Sequence, residues 1–508
     1  MSEATTPQAN ATPAATEEAR KRQRELVDRL LQQATVTHDA SVRLADGRTL
    51  DYTVSAAYMP THAAGIEGAH AEAECAIFTT AYLLKGATPG ERPVCFAFNG
   101  GPGSSSVWLQ FGALGPKRVR IEDDGSMPRP PYAVQDNPLT WLEHFDLVFV
   151  DPPHTGYSVA ASDDVRKKAL SVDGDVATLT EAVRHWLSRH KRWASPVLLA
   201  GESYGTTRGA ALADKLQTEG VPLSGLILIS CAMDLQTLVF APGNDLPYEL
   251  FLPGFACVAQ YHGMLQGPQA ESPAAARAAA EEFVLNDYLK ALHAGARLGA
   301  QERRRIVARV AELTGLKPAL VEEKNLRISD QTFFFELLRD QGRMVGRLEA
   351  RVTGPMAASR SREWEFDPGI EALAGPYTMA AQAYFAELGL PTDRRYEILS
   401  FDVHKQWNWN RGEDKGNAFA STSADLARAL RRNPHLRVLV ASGYYDLGTP
   451  YSASDYSLAQ LDITPEVRSR ITHHYYEAGH MMYTREADLK KLQRDLSAWW
   501  AEAPVTAR

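Results

Sequence analysis

The first candidate for chemistry is a serine between two glycines, in the stretch GESYG at residues 201–205. The apolar run 195–200 before it has the length of a buried strand, and a helix-like pattern follows over 206–220. Strand, tight turn and helix are typical of a turn that presents a nucleophilic serine, because glycines let the backbone bend sharply. The alternative is that Ser203 only caps the helix, and this motif alone does not decide between the two.

A serine nucleophile needs a base and an acid that orients the base, and Asp446 and His480 follow it in a suitable chain order. The apolar run 436–443 leads to Asp446, and the strand-like run 471–479 leads to His480. Each residue therefore lies just beyond a predicted strand. The sequence predicts a catalytic triad of Ser203, Asp446 and His480.

Backbone N–H groups that could stabilise an oxyanion are expected in two places. One is Tyr204, directly after the nucleophile. The other is the glycine-rich loop 99–106, which follows the apolar run 94–98. A rival interpretation of this loop is a dinucleotide-binding turn, since Glu122 follows about 20 residues later. Proline in the turn and serine at the third glycine position count against nucleotide binding.

The elements that must position these residues alternate between strands and helices. Residues 40–85 are typical of antiparallel strands, with a hairpin turn at Asp46-Gly47. From residue 93 onward, apolar strand-like runs end in glycine- or proline-rich loops, and helix-like segments lie between several of them. This pattern predicts an α/β fold with a mostly parallel sheet and helices on both faces.

A mainly helical insertion interrupts this pattern at 235–395. It is expected to lie over the strand ends, and a separate helical domain with no part in the site is the alternative. The predicted division is a disordered tail at 1–16, a core at 17–234 and 396–508, and the insertion. Within the core, residues 17–90 are expected to form an N-terminal helix and the antiparallel strands.

Composition argues against several classes of protein. The 508 residues carry a net charge of −8 without a basic block, so no nucleic-acid partner is expected. The apolar runs are too short to cross a bilayer, and no signal peptide is seen, so a cytoplasmic protein without a membrane partner is expected. No metal-ligand spacing is present, and no cofactor is predicted.

The four cysteines lie in apolar stretches without metal-ligand spacing, at positions 75, 95, 231 and 257. Burial in such stretches predicts free thiols, which fits a reducing cytoplasm. The sequence also leaves room for one disulfide.

Several blocks of the chain resemble the signature blocks of the serine carboxypeptidase family, in the same order: NGGPGSSS with GALGP, NPLTWLEHFDLVFVDPPHTGYS, GESYG, SGYYDLGTP and EAGHMMY. The resemblance implies an α/β-hydrolase fold with a helical cap, and the release of C-terminal residues from peptides that have a free C-terminus. It also implies a role for each matching position. By this resemblance, Ser203 is the nucleophile, His480 the general base and Asp446 the acid that orients it. Gly101 and Tyr204 are the two oxyanion donors. Asn99 and Glu202 bind the substrate's terminal carboxylate.

Two positions depart from the family pattern. Ala113 stands where the family usually has a second glutamate, and Ser104 stands where it usually has a cysteine. Because Ala113 removes one of two acids that would bind the carboxylate, an esterase or acyltransferase on the same fold is an alternative, and a non-catalytic binding protein is a third. The sequence leaves the side-chain preference and the oligomeric state open.

Overall fold

The computed structural model describes residues 13–63, 72–391, 393–412 and 419–502, with side chains from residue 17 onward. Its strands, in chain order, are β1 (Val36–Arg43), β2 (Thr49–Thr61), β3 (Cys75–Leu84), β4 (Val94–Phe98), β5 (Lys117–Val119), β6 (Val134–Asp136), β7 (Asp146–Val150), β8 (Val159–Ala160), β9 (Val197–Glu202), β10 (Leu223–Ile229), β11 (Arg343–Val345), β12 (Thr353–Pro355), β13 (Arg437–Gly443) and β14 (Ile471–Tyr476).

The main sheet has ten strands in the order β1-β2-β3-β7-β4-β9-β10-β13-β14, with β8 paired to β3. The pairs from β1 to β7 along this order are antiparallel, and the six strands from β7 to β14 are parallel. This confirms the predicted mostly parallel α/β sheet. The hairpin predicted at Asp46-Gly47 joins β1 to β2, and Gly47 adopts a φ of 90° there.

The α-helices are α1 (Pro13–Leu31), α2 (Val107–Leu109), α3 (Asp163–Ala169), α4 (Val172–Arg189), α5 (Tyr204–Thr218), α6 (Leu246–Tyr261), α7 (Pro273–Phe283), α8 (Leu289–Ala294), α9 (Ala300–Thr314), α10 (Pro318–Glu323), α11 (Asp330–Glu336), α12 (Pro368–Glu387), α13 (Phe401–Gln406), α14 (Ser423–Arg432), α15 (Tyr451–Ala459), α16 (Pro465–Arg468) and α17 (Glu486–Ala501). In the described part of the chain, no helix is long and apolar enough to cross a membrane.

Helices cover both faces of the sheet, as predicted. Apolar side chains of α12 and α17 pack on one face, and those of α4, α5 and α14 pack on the other. The central strands β4, β7 and β9 are fully buried, which explains why they appear in the sequence as continuous apolar runs.

The segment between β10 and β13 is mainly helical, and α6 to α11 build a hydrophobic core of their own. It also contains a short hairpin of β11 and β12, which the sequence analysis does not predict. Its last long helix, α12, packs in the core of the main sheet. The predicted domain boundaries at 235 and 395 stay predictions.

A disordered tail is expected at 1–16, and residues 1–12 of it lie outside the described part of the chain. Helix α1 begins at Pro13 rather than at Glu17. Farther along α1, the buried side chains of Val27 and Leu30 pack with Ala76 and Ala161. The expected N-terminal helix is therefore present and begins slightly earlier than its apolar stripe indicates.

Candidate active site

Ser203 occupies the tight turn between β9 and α5. Its backbone has a φ of 61° and a ψ of −131°, which is a strained conformation for a residue with a side chain. A Cβ on Gly201 would collide with the carbonyl of Gly205, and one on Gly205 would stand 2.8 Å from the carbonyl oxygen of Phe98. The two glycines are therefore required for the turn to form, and the turn leaves Ser203 partly exposed.

Asp446 and His480 lie together, each in the loop after its strand. Nδ1 of His480 is 2.7 Å from Oδ2 of Asp446, and both side chains are buried. Oδ1 of Asp446 accepts N–H bonds from Gly448 at 2.8 Å and Thr449 at 2.9 Å, and the Thr449 hydroxyl donates to Oδ2 at 2.7 Å. A carboxylate on Nδ1 places the imidazole proton there, so that Nε2 carries the lone pair that a general base needs.

The loops of Ser203 and His480 are joined through Ser230, at the end of β10. The N–H of Ser203 donates to the carbonyl of Ile229 at 3.0 Å, and the hydroxyl of Ser230 donates to the carbonyl of His480 at 2.6 Å. The Thr449 hydroxyl also lies 3.1 Å from the carbonyl oxygen of Ser230. Adjacent parallel strands thus bring the three predicted triad residues to one edge of the sheet.

The glycine-rich loop after β4 lies directly against the first turn of α5. A Cβ on Gly100 would collide with the backbone nitrogen of Tyr204, so only glycine permits this approach. Gly101 follows with a φ of 102° and is exposed. Because α5 begins at Tyr204, its N–H has no carbonyl partner one turn earlier. The structure therefore places the loop that contains Gly101 against Tyr204, the residue after Ser203.

Glu202, directly before the nucleophile, lies in a buried polar group. Its Oε1 accepts a bond from Asn99 Nδ2 at 2.7 Å, and its Oε2 accepts one from the hydroxyl of Tyr483 at 2.6 Å. The N–H of Leu109 donates to Asn99 Oδ1 at 3.0 Å and orients the amide. Burial raises the pKa of Glu202 to about 7, although the charge of His480 and the two hydrogen bonds oppose the rise.

Comparison with known proteins finds relatives for part of this chain. Residues 77–234 match the family model described as serine carboxypeptidase. Serine carboxypeptidase-like 13 of Arabidopsis thaliana is 30% identical over 127 residues, which is 24% of this chain and 28% of that protein. Pheromone-processing carboxypeptidase KEX1 of Yarrowia lipolytica is 33% identical over 148 residues, which is 28% of this chain and 22% of that protein.

The resemblance to the serine carboxypeptidase family is confirmed over residues 77–234. The matches span only about a quarter of the length of these curated relatives. The matched range 77–234 contains Asn99, Gly101, Glu202, Ser203 and Tyr204. The acid and the histidine of the triad lie beyond it, so their assignment depends on the geometry above.

Solved structures to which this chain is similar include an Aspergillus niger epoxide hydrolase and the esterase LipA of Xanthomonas oryzae. The first is 13% identical with a TM-score of 0.35 and covers 88% of this chain and 78% of its own. The second is 12% identical with a TM-score of 0.34 and covers 93% of this chain and 98% of its own. The α/β-hydrolase fold is evident in this chain from the strand order and from the serine turn between β9 and α5.

Ala113, the departure from the serine carboxypeptidase pattern, lies in the π-helical turn Gln110–Leu114 and is buried. Beside it, a Cβ on Gly112 would collide with the ring of Tyr483 and stand 2.7 Å from the hydroxyl of Tyr377. Tyr483 therefore packs against this turn and bonds Glu202 from there. The sequence analysis does not assign a role to Tyr483, although the residue stands in the quoted block EAGHMMY.

The second departure, Ser104, accepts a bond from the indole nitrogen of Trp108 at 2.8 Å. All four cysteines of this serine carboxypeptidase relative are buried free thiols, as predicted. Burial raises the pKa of each thiol, to about 12 for Cys231, which makes the thiols poor nucleophiles.

Arg208 and Asp175 form a buried ion pair beneath the serine turn, which the sequence analysis does not identify. Nε of Arg208 is 2.7 Å from Asp175 Oδ2, and neither side chain is exposed. Nη1 of Arg208 also donates to the carbonyl of Asn99 at 2.6 Å. A charged residue inside the small, apolar stretch of α5 is the signal that could have indicated this pair.

Residues 346–351, which we name the bridging segment, connect the helical part of the chain to both catalytic loops. The carbonyl of Arg347 accepts the N–H of Leu447 at 3.0 Å, and the carbonyl of Leu348 accepts the N–H of His480 at 2.7 Å. Oε2 of Glu349 accepts the N–H of Gly479 at 2.9 Å. The backbone of His480 is therefore held by residues from the inserted region.

Proposed function

We propose that this protein is a serine carboxypeptidase that releases C-terminal residues from peptides through an acyl-enzyme intermediate. The observation that carries the proposal is the carboxyl of Glu202, which lies directly before Ser203. This carboxyl is buried, and burial raises its pKa to about 7. A carboxyl group that keeps its proton near neutral pH can donate a hydrogen bond to a carboxylate, which an ionised one cannot do. The site is thus suited to a substrate that ends in a free carboxylate.

In the proposed reaction, the Ser203 hydroxyl attacks the scissile carbonyl and gives its proton to Nε2 of His480. Asp446 stabilises the resulting imidazolium. The oxyanion receives N–H bonds from Gly101 and Tyr204. His480 then returns the proton to the leaving amine, the C–N bond breaks, and water releases the acyl group by the same steps.

Asn99 and Glu202 are proposed to hold the terminal carboxylate of the leaving residue. Tyr483 joins them, because its hydroxyl bonds Glu202 at 2.6 Å. This phenol stands beside the turn where the family usually has a second acid. Burial raises the pKa of Tyr483 well above its usual value, so it remains a hydrogen-bond donor across the physiological range.

The second candidate function is an esterase or acyltransferase with the same nucleophile, and Ala113 is the observation that favours it. With one acid fewer, the site has less capacity to bind a carboxylate. The bond from Tyr483 to Glu202 supports the peptidase, since it supplies a partner that the alanine lacks. A non-catalytic binding protein is less well supported, because Asp446 and His480 are already paired at 2.7 Å.

The deciding experiment compares a blocked dipeptide with a free C-terminal carboxylate, its C-terminal amide and the matching ester. A carboxypeptidase is expected to cleave the free acid with a much higher kcat/KM than the amide. Equal rates on acid and amide, or turnover of the ester alone, would support the second candidate. Labelling of Ser203 by a fluorophosphonate, with Ser203→Ala as the control, tests the nucleophile.

We also propose a cytoplasmic location, because the four cysteines are free thiols, which a reducing compartment maintains.

A further inference from the structure

Arg347 lies in the loop between β11 and β12, and hydrogen bonds on both sides hold its main chain. Its N–H donates to Oδ1 of Asp367 at 3.0 Å, and its carbonyl accepts the N–H of Leu447 at 3.0 Å. Leu447 directly follows the acid of the triad. Arg347 is therefore placed beside the Asp446 loop by its backbone, whatever its side chain does.

The guanidinium of Arg347 extends along the same loop. Its central carbon lies 3.5 Å from the position that a Cβ on Gly448 would take. Gly448 donates its N–H to Oδ1 of Asp446 at 2.8 Å, so this contact lies next to the triad. Because glycine has no side chain, position 448 leaves room for the half-buried guanidinium of Arg347.

Within the described residues, this guanidinium forms no ion pair, and each nearby acid accepts hydrogen bonds from other groups. Asp367 accepts N–H bonds from Arg347, Leu348 and Gly369. Glu349 is paired with Arg351 through two bonds, at 2.9 and 2.7 Å. Asp330 accepts the N–H of Gln331 at 2.7 Å. Asp330 and Asp367 lie within electrostatic reach of Arg347, but among the described residues neither forms a hydrogen bond with its guanidinium.

Aromatic contacts lead from Tyr204, next to Ser203, to His404. The rings of Tyr204 and Trp409 are 5.7 Å apart, and those of Trp409 and His404 are 6.2 Å apart. Burial lowers the pKa of His404, and the charge of Arg347 lowers it further, so the two side chains lie within electrostatic reach of each other. Arg347 therefore lies within electrostatic reach of both His404 and His480.

We propose that Arg347 binds an acidic side chain on the acyl side of the scissile bond, so that the enzyme prefers glutamate or aspartate before the released residue. This inference rests on the proposed function. The leaving residue's carboxylate is assigned to the group around Glu202, whose two oxygens bond Asn99 and Tyr483. The acyl part must extend away from that group. The planar guanidinium matches a carboxylate with two parallel hydrogen bonds.

The test uses blocked dipeptides that all end in alanine and carry glutamate, glutamine or lysine before it. The measured quantity is the ratio of kcat/KM values within each enzyme, so that a general loss of activity cancels. The unaltered protein is expected to favour glutamate over glutamine by a factor on the order of ten to one hundred. Arg347→Gln should bring this ratio close to one, and Arg347→Glu should favour lysine.

Arg343→Gln is the matched control, since Arg343 is an exposed residue of β11 whose guanidinium bonds Thr353 at 2.8 Å. It should keep the ratio of the unaltered protein. A flat ratio in the unaltered protein that cleaves the glutamine peptide, or an unchanged ratio in Arg347→Gln, overturns this subsite and leaves the proposed function standing. Cleavage of none of the peptides, without fluorophosphonate labelling of Ser203, overturns both.

Discussion

Glu202 and His480 are buried titratable residues whose charges act on each other. Burial raises the pKa of Glu202 to about 7. Burial alone would lower the pKa of His480, but the charge and hydrogen bond of Asp446 together with the charge of Glu202 outweigh it, and the pKa of His480 lies above its usual value. In the proposed reaction, catalysis requires a neutral His480 and substrate binding requires a protonated Glu202, so the two requirements oppose each other as pH changes.

The first prediction concerns Glu202→Gln. Protonated Glu202 donates to the substrate carboxylate below its pKa, and ionised Glu202 repels that carboxylate above it. The KM of the unaltered protein should therefore rise as pH increases through about 7. In Glu202→Gln, the side-chain amide donates at every pH, so the dependence of KM on pH should be flatter. KM and kcat are measured from about pH 5 to 8 on a peptide with a free C-terminus. Parallel KM profiles would show that Glu202 does not bind the carboxylate.

The second prediction concerns Tyr483→Phe. The hydroxyl donates to Oε2 of Glu202 and thereby lowers the pKa of that carboxyl. Removing it should raise the pKa of Glu202, so the rise in KM should move to higher pH. Tyr377→Phe is the control, because both oxygens of Glu202 already have their partners in Asn99 and Tyr483. An equal displacement of the KM profile in both variants would exclude a specific role for Tyr483.

At the scale of elements, the serine turn is supported by two helices and a loop. Helix α5 carries Arg208, helix α4 carries Asp175, and Arg208 also bonds the carbonyl of Asn99 in the oxyanion loop. Two charges removed from water are stable only as a pair, since each compensates the desolvation of the other. The pair thus couples the position of Asn99 to that of α5.

The third prediction is that Asp175→Ala lowers the free energy of unfolding by about 3 to 5 kcal/mol, because it leaves the Arg208 charge buried without a partner. Glu219→Ala is the control, as its pair with Lys215 at 2.7 Å is partly exposed at the C-terminal end of α5, the helix that carries Arg208. That variant should change stability by about 0.5 kcal/mol or less. Denaturant unfolding measures the free energy of unfolding of both variants. If the two variants lost similar amounts of stability, burial of the Arg208–Asp175 pair would not be what makes it important.

At the scale of the whole molecule, the inserted region takes part in building the catalytic site. The bridging segment bonds the loops of Asp446 and His480, which follow strands from the other end of the chain. Glu349 bonds Gly479 and also pairs with Arg351. A shift of the insertion would therefore move His480 relative to Ser203.

The fourth prediction is that Glu349→Ala lowers kcat by about ten- to a hundredfold, because the His480 loop loses an anchor and the triad its alignment. KM should change little, since the group around Glu202 is untouched. Steady-state kinetics separates the two parameters. Glu302→Ala, at an exposed position of α9, should leave both unchanged. A rise in KM without a fall in kcat would contradict a role in positioning His480.

Much of the fold is predictable because it is encoded locally. Six apolar runs are predicted as strands and are confirmed as such: β4, β7, β9, β10, β13 and β14. Strand and turn propensities act over a few residues, so a short window of sequence contains the signal. The lateral order of the strands, with β4 between β7 and β9, depends instead on packing between distant segments.

The sequence by itself determined the nucleophile turn, the order of the triad and the residues expected around it, because each belongs to a short motif next to a strand end. Only the tertiary structure decided which distant side chains complete the site. Tyr483 reaches Glu202 across 281 positions of the chain. Arg347 reaches the Asp446 loop from the separate hairpin of β11 and β12. Such contacts depend on the path of whole loops, and no local pattern of residues specifies that path.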